Sequence, residues 1–396
     1  MRNDWTETTL GEIAEVNMGQ SPPGDTYNTE GIGMPFMQGS AEFGEHYPEP
    51  VKFCSAPAKI AEIGDLLLSV RAPVGDSNFA NQRIAIGRGL ATVRARTGAD
   101  THFLRLVIQL NTAGLLATSG TGMFSSITGK NLREFGVNLP PLEEQKRIVD
   151  VVSSVDAYID ALQQQADSAR TARNAVLHGL LEVVADSPIR KLKDLTSKIG
   201  SGATPRGGES VYQKSGVTLI RSQNVHNALF LHEGLVAIDD SAAAALDGVS
   251  VEVNDVLINI TGASVARTCL VDETVLPARV NQHVAILRTD SKVLLPGFLL
   301  RVLLGQQMNS YLLDISGSGT TRQAITKAQL ESLEMAVPPI SEQKRIVEIV
   351  SSMDDVIQST EQAVIEAKAL RSGLLSDLLS GEHEIPKAYD QFLRAA

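Results

Sequence analysis

Three clusters rich in glycine and small hydroxyls carry side chains suited to grip nucleic acid. The first, GSGATPRGGES at residues 200–210, holds Thr204 and Arg206; a weaker counterpart, NMGQSPPGD at 17–25, holds Gln20 and Ser21. Glycine and small hydroxyls let backbone N–H groups approach a phosphate, and a guanidinium adds positive charge. The second is Arg221-Ser222-Gln223-Asn224, directly after the strand-like run at 217–220. Arginine reads guanine, and glutamine or asparagine reads adenine, by paired hydrogen bonds in the major groove. The third, GSGTTRQ at 317–323, contributes Thr321, Arg322 and Gln323, and its counterpart GTGMFSS at 120–126 contributes Ser125. Arg71 and Arg83 are comparable candidates nearer the N-terminus. Taken singly, each is equally readable as a polar turn without a ligand; as a set they point to DNA.

Residues for chemistry of the chain's own are missing. The G-x-G fragments at 120–122, 200–202 and 317–319 stand alone, without the strand–loop–helix fingerprint of a nucleotide site, and no phosphate loop of the G-x-x-x-x-G-K-[ST] type occurs. Asn138-Leu139-Pro140-Pro141 lacks the first proline position and the aromatic of the N-P-P-[YF] pattern of adenine methyltransferases. No Asp/Glu-x-Lys pair has a nuclease context. The only cysteines, Cys54 and Cys269, support neither a disulfide framework nor a cysteine zinc site. The seven histidines show no metal-ligand spacing, and His226 and His232 read as surface loop residues. No active site, metal or cofactor is expected in this chain.

The elements that must position the clusters are written twice. PPLEEQKRIVDVVSSVD at 140–156 returns as PPISEQKRIVEIVSSMD at 338–354, with 12 of 17 positions identical at an offset of 198, half of the 396 residues. That period is far beyond the roughly 20–50 residues of a solenoid repeat, so a whole module is duplicated. Approximate two-fold symmetry follows, which suits a ligand as nearly two-fold as duplex DNA. Pro-Pro presets each helix start, and carboxylates in the first turn complement the helix dipole. Apolar positions then recur at steps of four and three: Ile148, Val152, Val155, Ile159, Leu162, Ala166 and Ala169, and in the second copy Ile346, Val350, Met353, Ile357, Thr360, Val364 and Ala367. Arg173 matches Arg371 at the one polar interruption. This heptad spacing predicts two helices of about 40 residues, each roughly 60 Å long, pairing antiparallel as a coiled coil. The competing reading is two amphipathic helices, each docked on its own domain.

Around these helices, residues 1–139 and 190–337 read as mixed α/β domains rich in short strands, at 65–70, 83–86, 90–94, 217–220, 255–260 and 283–287. Matching continues inside them with a drifting offset: 190 from Asp65 to Asp255, 194 from Arg94 to Arg288, and 198 from Ile127 to Ile325. One fold with two loop sets implies two specificities, because recognition resides in loops held on a scaffold. Four segments are therefore expected: domain one at 1–139, helix one at 140–189, domain two at 190–337, and helix two with a tail at 338–396. The net charge of −11 is uneven: −3 on 1–139, −4 on 140–189, 0 on 190–337 and −4 on 338–396. The acidity sits mainly on the connectors, yet the basic footprint of a DNA binder is weak, so tight binding should need a partner's basic surface. The apolar runs at 65–70 and 293–304 are too short and broken to span a membrane, and the N-terminus lacks a signal-peptide core. A cytoplasmic protein is expected.

With those residues in view, the chain resembles the specificity subunit of type I restriction–modification enzymes, over almost its whole length. The resemblance rests on two [LV]-P-P-x-x-E-Q-x-x-I-V helices at 139–149 and 337–347. It also rests on the G-x-T-P loop at 202–205, the Asn281-Gln282-His283 strand edge, and the glycine-rich turn leading to Ile325-Thr326. The first domain departs, with Gln20-Ser21-Pro22 where the second has Ala203-Thr204-Pro205. The resemblance implies two target recognition domains separated by an antiparallel coiled coil, an α+β chain overall. Each domain would read one half of a split DNA site while the helices set the gap. It further implies no catalysis by this chain, docking of two methyltransferase subunits that bind S-adenosylmethionine, and motor-nuclease subunits that use ATP and magnesium. Two other readings compete. A self-contained methyltransferase or nuclease would need the missing cofactor motif. A duplicated protein scaffold would be indifferent to changes at Arg206, Arg221 and Arg322.

Overall fold

The computed structural model describes residues 4–117, 126–317 and 323–390. The chain divides into two compact units, residues 1–162 with 362–396 and residues 163–361. The long helices run from Leu142 to Val183 and from Ile340 to Ser380, 42 and 41 residues. Each starts at the residue directly after its Pro-Pro pair, with Glu143 and Glu144 or Glu342 in the first turn.

Within the first unit the helices pair antiparallel: Asp156 meets Arg371, and three residues later Ile159 packs with Val364 and Ala367. Within the second unit Arg170 meets Glu361 at 2.5 Å and Arg173 meets Asp354 at 3.3 Å, so the chains again run in opposite senses. Ile148, Val152, Ile159, Ile346, Val350, Ile357 and Val364 are buried, and Val155, Leu162 and Met353 half-buried. The two competing helix readings each describe part of this. Ile148 and Val152 join the core beneath the first unit's sheet, and Ile346 joins that of the second, while Ile159, Val364 and Ala367 form a helix–helix cluster. A heptad stripe is apolar whichever partner it buries against, each aliphatic side chain contributing about 1.5–3 kcal/mol.

The second unit holds a four-stranded antiparallel sheet in the order Thr196–Ser201, Val284–Thr289, Val256–Asn259, Thr268–Leu270. A second sheet runs Val236–Ile238, Val217–Ile220, Ala278–Val280, Ser250–Val251, its middle pair parallel. The first unit repeats the first sheet as Ala14–Met18, Leu90–Ala95, Leu66–Ser69, Ser77–Phe79. Its second sheet has five strands around the parallel pair Met34–Met37 and Ile84–Ile86. The drifting sequence matches are now partners. Buried Asp65 takes a guanidinium bond of 2.8 Å from Arg94, and buried Asp255 takes two of 2.8 Å from Arg288. The carboxylate bond raises each arginine above the ordinary guanidinium pKa. Each aspartate also accepts a backbone N–H three residues before it, from Glu62 or Glu252.

The glutamine of each repeated phrase is the joint between sheet and helix. Gln343, fully buried, accepts from Leu295 N at 2.8 Å and donates to Val293 O and Pro338 O at 2.9 Å. Gln145 does the same with Asp100 N at 2.8 Å, Gly98 O at 3.0 Å and Pro140 O at 2.8 Å. Both satisfy main-chain groups just before the short helix that caps the sheet, Pro296–Leu304 in one unit and Thr101–Leu110 in the other.

Candidate nucleic-acid interface

In the second unit the parallel strands Val217–Ile220 and Ala278–Val280 end at one edge, and the candidate loops gather there. Asn281 N donates to Ile220 O at 3.0 Å, and Gly202 N donates to Asn281 O at 3.1 Å. Only glycine fits at 202, since a Cβ would lie 1.6 Å from Val280 O. Ile260 N donates to His283 O at 2.9 Å, and Gly262 N to Gln323 O at 3.0 Å. The polar atoms along this edge are already aligned. His283 Nδ1 lies 2.5 Å from Thr261 Oγ1, and its Nε2 lies 2.8 Å from the Gln282 amide. Arg221 donates to Gly234 O at 2.6 Å, with its guanidinium 5.3 Å from the Tyr212 ring. Gln223, exposed, donates to the same carbonyl at 3.2 Å. Thr204 and Arg206 are exposed on the neighbouring loop.

Asn224 is a correction. It is fully buried, its amide donating to Leu231 O at 3.0 Å and Glu233 O at 3.1 Å while its oxygen accepts Arg221 N at 3.0 Å. Both amide hydrogens and the oxygen shape the Arg221 turn, and the side chain is buried away from any base. Thr321, Arg322 and Ser125 lie outside the described residues.

The first unit builds the same edge from different residues. Gly87 N donates to Met37 O at 2.7 Å, Gln20 N to Ile86 O at 3.1 Å, Val70 N to Gly89 O at 2.9 Å and Ile127 N to Val70 O at 3.0 Å. Gly19 takes the role of Gly202, a Cβ there falling 2.2 Å from Gly87 O. The sequence departure at Gln20-Ser21-Pro22 therefore keeps the close backbone approach. By this register Gln38 stands where the second unit has Arg221, exposed Arg71 where it has Thr261, and exposed Arg88 where it has Gln282. Gln38 donates to Ser21 Oγ at 2.8 Å. Arg83 is the second correction: it precedes Ile84–Ile86 at the opposite strand end, 3.1 Å from Glu62. Arg88 and Thr261 belong to none of the candidate clusters, because the register of the parallel pair, not any local motif, brings them to the edge; the sequence marks His283 only as part of the Asn281-Gln282-His283 strand edge.

Burial pushes the Cys269 thiol up to about 12, and among the described residues no three His, Cys, Asp or Glu side chains gather as metal ligands. Also among the described residues, no helix is long and apolar enough to cross a membrane.

The family model described as the type I restriction modification DNA specificity domain matches residues 2–169 and again 186–368. A specificity subunit of the MjaX type I restriction enzyme of Methanocaldococcus jannaschii is 38% identical over 181 residues, 45% of this chain and 43% of that protein. The chain thus spans less than half the length of that relative. The MjaIX specificity subunit of the same organism is 21% identical over 96% of this chain and 93% of its own length. The crystal structure of a type I system S subunit from M. genitalium superposes with a TM-score of 0.57 at 13% identity, covering 96% and 97% of the two chains. A chain from a study of complex assembly and conformational transition in the type I system gives 0.60 at 19%, covering 97% and 99%.

Proposed function

The chain belongs to the type I restriction–modification DNA specificity family, and from that premise we propose that it reads a two-part DNA site through its two loop edges. One observation carries the reading. Each unit presents a loop edge on the same strand topology, but one edge offers Gln38, Arg71 and Arg88 while the other offers Arg221, Gln223, Gln282 and His283. Identical scaffolds with different donors and acceptors are what two different half-sites require. Thr204, Arg206, Gln20 and Ser21 sit on loops of small residues suited to phosphates, which fix register without reading sequence.

In this reading the paired long helices hold the half-sites a constant number of base pairs apart. Their outer faces dock two methyltransferase subunits, which bring S-adenosylmethionine, and motor subunits bring ATP and magnesium. The chain itself supplies recognition and no bond-making group. With a net charge of −11 its own counterion-release affinity is small, so tight binding depends on basic surface from the methyltransferases.

The test is adenine methylation across the genome of a methylation-free host expressing this chain with its neighbouring methyltransferase gene. A split motif with one fixed gap is expected, and exchange of residues 1–139 for those of a relative should change one half only. A continuous motif would refute the reading.

A further inference from the structure

A partly buried charge cluster occurs in both units and neither loop edge uses it. In the second, Arg301 lies on the inner face of helix Pro296–Leu304, 6% exposed, among sheet-facing Phe298, Leu299 and Val302. Its guanidinium reaches the second long helix, 2.7 Å from Asp354 and 3.2 Å from Ser351 Oγ. Arg173, from the first long helix, approaches the same aspartate at 3.3 Å. The first unit repeats the set with the helices exchanged. Arg371 makes a two-pronged bond to Asp156, one prong at 2.9 Å. Arg105, on helix Thr101–Leu110, is half-buried near both, with its guanidinium 5.4 Å from the Phe79 ring. Burial, and then the second arginine, lower Arg105 and Arg301 while the aspartate raises them.

Charges held at such partly buried sites add little net stability, since desolvation offsets much of their attraction. What such a set does provide is direction. Arginine's planar fork accepts few geometries, whereas the aliphatic contacts around it tolerate sliding. In the second unit the three residues come from the sheet's capping helix and from both long helices and meet at Asp354; in the first, Arg371 and Asp156 join the two long helices while Arg105 of the capping helix stands near that pair.

We propose that Arg105, Asp156 and Arg371, and likewise Arg301, Asp354 and Arg173, are positioning residues that fix the angle of each recognition sheet on its helix pair. They thereby restrict the complex to one gap length between half-sites. This rests on the two-part reading above.

The test uses the full chain with its methyltransferase in the methylation-free host, comparing wild type with Arg105→Met, Arg301→Met and the double variant. The double variant should keep both half-site sequences and a melting temperature near wild type. Methylation at sites whose gap is one base pair longer or shorter should rise about tenfold, the scale of one relaxed mismatch. A purely structural role would lower melting temperature and total methylation together and leave the gap unique. Should the methionine variants fail to accumulate, Arg105→Lys with Arg301→Lys keeps charge and burial but loses the fork, and the same broadening is expected. A folded double variant of either kind that methylates a single gap overturns the proposal. A continuous wild-type motif overturns the two-part reading instead, so the two failures are distinguishable.

Discussion

Between the first unit and the second, the residues that join elements are the same and those at the strand ends are not. Gln145 and Gln343 make the same three bonds, and Asp65–Arg94 and Asp255–Arg288 occupy the same sheet positions. The edge residues differ in type and even in charge: Arg71 against Thr261, Arg88 against Gln282, Gln38 against Arg221. Buried joints have no freedom to change, because an unpaired buried polar group is costly. Side chains at an open edge bond mainly to one another and to their own loops, not to the shared frame, and can diverge. Duplication followed by divergence concentrated at the edges is what the proposed two readers on one frame would require.

The strongest way to break this comparison is at the shared joints. Gln145→Leu and Gln343→Leu each leave buried main-chain groups unpaired at roughly 1–3 kcal/mol apiece, so each should destabilise its unit by about 3–5 kcal/mol in denaturant unfolding. The two losses should agree within about 1 kcal/mol, inside the usual scatter between contexts. A large loss in one unit only would mean that the frames are alike in geometry but not in energy.

The next test addresses the edges. Arg71→Ala and Arg88→Ala should each relax base preference in one half of the methylated motif, by about 1–3 kcal/mol of discrimination per lost bidentate contact. The other half should stay intact, while Arg83→Ala, at the far strand end against Glu62, should change neither. If Arg71→Ala altered both halves, the edges would not be independent readers.

How far these features can be read from the chain alone differs along the same line. The helices follow from Ile148, Val152, Ile346 and Val350 at heptad spacing, because periodicity is a property of neighbours in sequence, and their antiparallel sense from the duplication; that Ile148, Val152 and Ile346 bury against the sheets was not legible. The matches Asp65–Asp255 and Arg94–Arg288 were visible as repeats, yet not as ion pairs, since the partners lie 29 and 33 residues apart. Loop edges fared worst. Asn224 has the side chain of a base reader but is consumed by its own turn. Arg88 belongs to no motif and reaches the edge through the parallel register of Ile84–Ile86 with Met34–Met37. Composition names a loop's chemistry; only strand pairing says which loops share an edge.

The smallest expected effect tests the one place where the repeated phrase itself is used differently. Arg147 and Arg345 are the same residue of that phrase. Arg147 is 5% exposed beneath the C-terminal segment, 3.1 Å from Asp390, and Tyr389 next to it donates to Asp150 at 2.8 Å. Ile385 anchors that segment in the first unit's core. Arg345 instead is exposed and bonds Glu342 within its own helical turn at 3.0 Å. Asp390→Ala strands a desolvated guanidinium, while the carboxylate it removes is itself about 42% exposed; that partial solvation discounts the cost to about 1–2 kcal/mol. Glu342→Ala removes a solvated i,i+3 pair and should cost far less. Salt separates the two further. In thermal unfolding at roughly 1 M salt, where the screening length falls to about 3 Å, the Glu342 effect should vanish and most of the Asp390 effect should persist. Equal and equally screened losses would mean that the tail lies on the surface of Arg147 without burying it, and that the two copies of the phrase are energetically the same.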